Sequence, residues 1–205
     1  MELYYSPFAC SLASHIALRE AGLDADLVAV TLSSKRTADG RDYFAVNRKG
    51  QVPALRLDDG AVLTENTAVI QYLADRKPAA GLLPPVGSPE RYRVLEWLSF
   101  VSTEMHKASF ATMFDPEAPA EAKAWARATL PQKLAHAAGE IGDREFLVGG
   151  RFTVADAYLT WALNLATLAK VDLPAGLQRY LDRMRQRPAV RTALEVEGAA
   201  AAQAG

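Results

Sequence analysis

One cysteine, three histidines and an adjacent acid–amide pair hold most of the reactive chemistry in this chain. Cys10 is the only thiol; it follows the breaker Ser6-Pro7-Phe8-Ala9 and precedes a helical pattern. A helix N-terminus favours negative charge and lowers a thiol's pKa. The plain reading of a lone free cysteine is a small buried packing residue. The strand-to-helix placement, at the same sheet end as Val52-Pro53, favours thiol chemistry instead. His106 falls within a long helical pattern, and helical spacing sets Ser99, Ser102, His106, Phe110 and Met113 on roughly one face. Hydroxyls, an imidazole, an aromatic ring and a thioether suit a cleft wall better than pure core, although a lone helical histidine is commonly structural. His15 and His136 have no partner pattern and read as structural or surface residues. No spacing among Cys10 and the histidines suggests a metal site. There is no phosphate-binding glycine loop and no nucleophile elbow.

The stretch Gly50–Leu73 organises these residues. Val52-Pro53 precedes the short apolar run Ala54–Leu57, Asp59-Gly60 supplies a hairpin turn, and Ala61–Leu63 returns. Proline cannot donate to a sheet ladder, so it belongs at an edge or a special turn, the usual place for a cis peptide. Such a turn leaves the backbone of Val52 free to pair with an extended, peptide-like ligand. Thr64 reads as the start of a helix whose apolar face is Val69, Ile70 and Leu73. Glu65-Asn66 then lies at a helix N-terminus, where open N–H groups favour a carboxylate. A backbone edge, an anion site and an acidic group together suit a small zwitterionic peptide.

The positioning elements follow from pattern and punctuation. Glu2–Tyr5 reads as a strand, Ser11–Ala21 as a helix closed by Gly22, Asp26–Val30 as a strand, Ser33–Gly40 as a loop and Arg41–Val46 as a short helix. This is a small sheet with helices packed on it. Residues 78–89 are rich in proline and glycine and read as a linker. Beyond them only helices are expected: Glu90 to about Phe114, Pro119–Gly139, Val154–Ala169, Leu177–Arg187 and Ala189–Val196, with Gly198–Gly205 fraying. Thr153-Val154-Ala155-Asp156 is a capping-box variant, a structural motif whose loss costs about 1 kcal/mol. The expected architecture is an α/β N-terminal domain over 1–77, a linker over 78–89 and an all-helical domain over 90–205.

Composition narrows the class. Half of the residues are apolar, enough for a sizeable core, and the formal net charge of −1 gives no field for nucleic acid or an anionic membrane. One cysteine excludes an internal disulfide framework and fits a reducing compartment. The N-terminal stretch lacks a basic region and a long apolar run, and no window reaches membrane-spanning length. The reading is a globular cytoplasmic protein.

With these motifs in place, the chain resembles the glutathione S-transferases from Met1 to about Val196. Val52-Pro53 is similar to the family's cis-proline motif, Glu65-Asn66 to its acidic-plus-hydroxyl or amide pair at the third helix, and Phe152–Asp156 to its capping box. The first domain thereby resembles a thioredoxin-like fold. Tyr5, Ala9-Cys10-Ser11, Lys35 and His106-Lys107 resemble the bacterial beta class. The resemblance implies glutathione as co-substrate and Cys10 and His106 as catalytic residues. It implies a glutathione site formed by Tyr5, Ser11, Lys35, Gln51, Val52, Pro53, Glu65, Asn66 and Lys107. In it Val52 pairs with the cysteinyl backbone, Glu65 and Asn66 hold the γ-glutamyl end, and Lys35 and Lys107 approach the glycyl end or nearby charges. The class often has serine where this chain has Asn66, and asparagine where it has Ser99. The electrophile pocket is placed around Phe8, Phe110, Met113, Phe114 and Trp161. A homodimer is also implied.

Three functions compete. One is an enzyme that conjugates glutathione to small hydrophobic electrophiles in detoxification, or exchanges disulfides through Cys10. Another is a glutathione-binding module without activity. The third is a glutathione-dependent isomerase or dehalogenase on the same fold. The intact set Cys10, Val52, Pro53, Glu65 and His106 favours the enzyme.

Overall fold

The computed structural model describes Met1–Ala204, with side chains through Ala202. Among these residues the chain forms two compact units, Met1–Leu83 together with the segment from Gln186 onward, and Pro84–Arg185.

The first unit is a mixed five-stranded sheet in the order β3-β2-β1-β4-β5. β1 (Glu2–Tyr5) runs parallel to β2 (Asp26–Thr31) through the crossover helix α1 (Ser11–Glu20). β4 (Ala54–Arg56) lies antiparallel to β1, with Tyr4 opposite Ala54, and β5 (Val62–Thr64) pairs with β4. The polar run expected to be a loop contains the two-residue strand β3 (Arg36–Thr37), which completes the edge of β2. The expected helix over 41–46 is one 3-10 turn, Tyr43–Ala45, capped by the Asp42 side chain. Alternation in the strands serves both faces of the sheet. Leu3 and Leu55 are fully buried, as are Leu12, Ile16, Ile70 and Leu73 of the helices. Tyr4, Val30, Tyr43, Val52 and Ala54 form a separate cluster.

Thr64 does not begin a helix; it is the last residue of β5, and α2 spans Asn66–Arg76. Glu65 between them has φ 71° and ψ 117°, a conformation that breaks both elements. The C-terminal stretch differs from expectation too. α8 (Pro188–Ala204) continues through the alanine-rich tail that was expected to fray, because it docks on α1. Arg187 grips both carboxylate oxygens of Glu20 at 2.6 and 2.8 Å, and Glu197 is fully buried. By packing, α8 therefore goes with the sheet unit. Gly205, the last residue of that tail, lies outside the described residues.

The second unit is helical. α3 (Pro89–Phe100) starts at Ser88, whose hydroxyl accepts the Arg91 N–H. The run continues without a break through Val101–Ala111, paired i→i+5 as a π-helix, and ends in the turn α4 (Thr112–Phe114). α5 (Ala120–Ile141) packs along the π segment with Ala126, Leu130, Leu134, Ala137 and Ile141 buried. α6 (Val154–Leu168) is the unit's most buried helix, and α7 (Ala175–Gln186) follows. Asp156 is more than a cap. It accepts from the Thr153 N–H and hydroxyl, the Leu147 N–H and the Tyr180 hydroxyl, the last at 2.7 Å. Burial pushes its carboxyl above the usual range while these donors oppose the shift. Among the described residues no helix is long and apolar enough to cross a membrane.

Candidate functional site

Register brings three chemical groups to one end of the sheet. β1 ends at Tyr5 and leads to Cys10. β4 is antiparallel to β1, so Val52-Pro53, just before it, meets that same end. β5 is antiparallel to β4 with Thr64 opposite Ala54, so Glu65-Asn66 arrives there as well. Cys10 is the residue before α1, 9% exposed, and its thiol donates to the Val52 carbonyl oxygen at 3.2 Å. The Val52-Pro53 bond is cis.

The segment leading to Val52 is held from several sides. The Gln51 carbonyl accepts from the Tyr43 hydroxyl at 2.8 Å and from Asn47 Nδ2 at 2.7 Å. Burial is the main cause of a Tyr43 phenol pushed up to about 12. Gly50 has φ 62°, and a Cβ there would stand 2.8 Å from the Phe44 ring, so a side chain would strain the backbone and displace that ring. Lys35, assigned by resemblance to the glycyl end of a ligand, donates its ammonium to the Gly50 carbonyl at 2.9 Å. It braces the segment directly.

At the start of α2, Glu65 holds its positive φ and pairs with Lys49 Nζ at 2.5 Å. A non-glycine residue in such a region costs about 1–3 kcal/mol and is found mostly where function requires it. Asn66 is 7% exposed; its Oδ1 accepts the Ser14 hydroxyl at 2.7 Å, while Nδ2 is buried with no partner among the described residues. An unpaired buried donor is expensive, and it stands beside open helix N–H groups that favour an anion.

Two expected site residues serve the architecture. Ser11 is fully buried; its hydroxyl accepts the Ser6 N–H at 3.1 Å and donates to the Ser6 carbonyl at 3.3 Å, closing the turn before Cys10. The Tyr5 ring leans on His15 at 5.9 Å, and burial, with the nearby Glu197 charge second, raises its phenol pKa. His15 belongs to a network that the sequence did not reveal. Arg19 Nε donates to His15 Nε2 at 2.8 Å, which leaves the imidazole proton on Nδ1, facing Glu197 Oε1 at 3.1 Å. Glu197 Oε2 in turn accepts the Phe8 N–H at 2.7 Å, holding Phe8 at φ 60° two residues before Cys10. Burial raises the Glu197 carboxyl despite both donors. The only local signal is an acid, Glu197, just before the alanine-rich tail.

In the helical unit, His106 lies in the π segment with Nδ1 2.8 Å from the Tyr158 hydroxyl and its ring 4.7 Å from that of Trp161. The capping box thus has a second use: it starts the helix whose first turns present Tyr158 and Trp161 to His106. Lys107 is exposed. The single face expected for Ser99, Ser102, His106, Phe110 and Met113 does not form, because the i→i+5 turns shift the phase. Ser99 is exposed while Phe110 is 1% exposed. Of the residues expected around an electrophile, Phe110 and Trp161 pack in the core at 5.9 Å from each other. Met113 is partly exposed and Phe114 exposed in α4, and Phe8 is partly exposed in the sheet unit.

The chain is similar to known proteins over nearly its whole length. Residues 5–76 match the glutathione S-transferase N-terminal domain, and residues 100–188 match the glutathione S-transferase C-terminal domain. The chain is 50% identical to glutathione S-transferase GstA of Escherichia coli O157:H7, over 97% of this chain and 99% of that one. A sphingomonad glutathione S-transferase complexed with glutathione superposes with a TM-score of 0.91 at 46% identity, covering 97% of this chain and 99% of that one. The beta-class enzyme of Sphingomonas chungbukensis gives a TM-score of 0.92 at 44% identity, with the same coverage of both chains.

Proposed function

The chain belongs to the glutathione S-transferase family, and from that we propose that it conjugates glutathione to small hydrophobic electrophiles, with thiol–disulfide exchange through Cys10 as a second reaction. The observation that carries the glutathione site is the meeting of Cys10, Val52 and Glu65-Asn66 at one sheet end, with Asn66 Nδ2 unpaired among the described residues. Val52 offers main-chain groups to the cysteinyl residue. Glu65 takes the α-ammonium of the γ-glutamyl end, and Asn66 with the α2 N-terminus takes its carboxylate. Tyr5, Ser11, Gln51 and Pro53 shape this end, and Lys35 and Lys107 serve the glycyl carboxylate. His106 steadies the thiolate, by resemblance.

In conjugation the glutathione thiol gives its proton to solvent, its sulfur forms a bond to the electrophilic carbon, and the leaving group departs with the bonding pair. Of the residues expected around the electrophile, Met113 and Phe114 in the helical unit and Phe8 in the sheet unit offer accessible apolar surface, while Phe110 and Trp161 are buried. The physiological role is removal of reactive electrophiles in the cytoplasm by a homodimer. Isothermal titration with reduced glutathione tests the site. Saturable heat at millimolar ligand or below is expected, and its absence, with no thermal protection by the ligand, overturns the reading. Light scattering at micromolar protein tests the dimer.

A further inference from the structure

The π segment that carries His106 is pinned by a residue from another helix. Lys133 of α5 donates its ammonium to the Glu104 carbonyl at 2.7 Å and to the Ser109 hydroxyl at 3.0 Å. The Ser109 hydroxyl donates to the same Glu104 carbonyl at 3.0 Å. Ser109 is fully buried, and the Lys133 side chain is only 13% exposed. The Glu104 carboxylate stands 3.6 Å from the ammonium, and the Trp125 ring lies 5.8 Å away on its own helix. Lys133 is thus committed to one place, unlike a surface lysine that samples solvent.

That place has a meaning in the helix. In an α-helix the Glu104 carbonyl would pair with the N–H four residues on; here the ring closes one residue later, at Ser109. The wider ring loses α-type geometry. The lysine ammonium and the serine hydroxyl add donors at its two ends, 104 and 109, and so favour the wide form over the narrow one. His106 and Lys107 lie between those ends. Narrowing the ring by one residue would turn His106 away from Tyr158 and Trp161, since every side chain on one side of the change rotates relative to the other side.

We propose that Lys133 is a positioning residue: by clamping Glu104 to Ser109 it fixes the wide turn that aims the His106 imidazole. The inference about aim stands on geometry alone. Its consequence for turnover rests on the function proposed above, and the two are separable by experiment.

The experiment uses the full chain with Lys133→Met, which keeps the stem and removes the donors, and Lys133→Arg, which restores donors. Ser109→Ala removes one partner of the ammonium and gives the same readout should Lys133→Met not fold. Imidazole 15N shifts of His106 and backbone shifts over 104–109 are recorded beside kcat and KM for glutathione with an aromatic electrophile. In Lys133→Met the His106 signals move and kcat falls about tenfold to a hundredfold, the range expected when a catalytic group is misplaced by an ångström. KM for glutathione changes less than kcat, and Lys133→Arg recovers most of both. Unmoved His106 and 104–109 signals in Lys133→Met overturn the proposal, whatever the rate does. Moved signals with unchanged turnover support the clamp and overturn the role given to His106.

Discussion

The Cys10 thiol and the Val52 carbonyl are 3.2 Å apart, with the sulfur as donor. This contact ties the helix start after β1 to the turn before β4, and it occupies one of the two main-chain groups through which Val52 would engage a peptide. A ligand that pairs with Val52 therefore meets the thiol at once. On the proposed reading, binding and thiol chemistry at this end share the Val52 carbonyl oxygen.

Glu65 separates function from stability. Its pair with Lys49 is more than half exposed on both sides, so it contributes at most about 1 kcal/mol. Glu65→Gln is expected to leave the melting temperature within about 2 °C while weakening glutathione about tenfold to a hundredfold, because a charge contact to the ligand ammonium is lost. Glu65→Gly should lose binding as well, yet raise the urea midpoint, since glycine relieves the positive φ of 71° at a gain of about 1 kcal/mol. Titration calorimetry and urea melts check both. Unchanged affinity in Glu65→Gln shows that the ammonium binds elsewhere.

Asn66 gives a converse test. Asn66→Ala removes the acceptor of the Ser14 hydroxyl and also removes a buried donor that has no partner among the described residues. These effects oppose each other, each about 1–3 kcal/mol, so the urea midpoint is expected to move little. Glutathione affinity should fall about tenfold. A large loss of stability with intact affinity makes Asn66 a structural residue only.

Local features of the fold were legible in the sequence and distant ones were not. The Val52-Pro53 turn, the Asp59-Gly60 hairpin and the capping box at Thr153 each lie within a few residues, where turn and cap chemistry decides the backbone. The weight of Asp156 did not show, because its partners Leu147 and Tyr180 come from outside the box. The helix through 198–204 was missed for the same reason: Glu197 is satisfied by Phe8 and His15, at sequence separations of 189 and 182. The π segment breaks the face read for His106, since that face assumes the α-helical period. Two residues of β3 were too few for any alternation to show. At the site, residue types announced Cys10, Glu65 and Asn66, but the bracing duties of Ser11 and Lys35 required coordinates.

Tyr43 sets an alkaline limit. Its phenol is pushed from an ordinary 10 to about 12, chiefly by burial. A folded value above the unfolded one means that the stabilisation is complete below about pH 10 and is lost as pH rises toward 12. The amount lost is at most about 3 kcal/mol. Urea melts at pH 9 and about pH 11 should show a steeper decline for the parent than for Tyr43→Phe. At neutral pH, Tyr43→Phe leaves the Gln51 carbonyl with Asn47 as its remaining donor and costs about 1 kcal/mol. Equal alkaline slopes in the two proteins refute the assignment.

Cys10 carries the most exacting prediction. Cys10 is only 9% exposed, so a reagent without affinity for the Val52 turn reaches its sulfur slowly. Oxidised glutathione carries the peptide that this turn is proposed to pair with, and docking places its disulfide beside the sulfur. The Cys10 thiolate then attacks one sulfur, a Cys10–glutathione disulfide forms, the original S–S bond breaks, and one reduced glutathione leaves with the proton. Intact-mass spectrometry should show one glutathionyl group per chain, absent in Cys10→Ala. Hydroxyethyl disulfide at equal concentration should react at least about tenfold more slowly, because it lacks the docking groups. Glu65→Gln should narrow that difference by weakening only the docked reagent. Cys10→Ala should abolish thiol exchange while reducing conjugation of an aromatic electrophile to a lesser extent, because the glutathione sulfur supplies the nucleophile in that reaction. Equal rates for the two disulfides, or no added mass with oxidised glutathione, return Cys10 to a packing role between α1 and the Val52 turn.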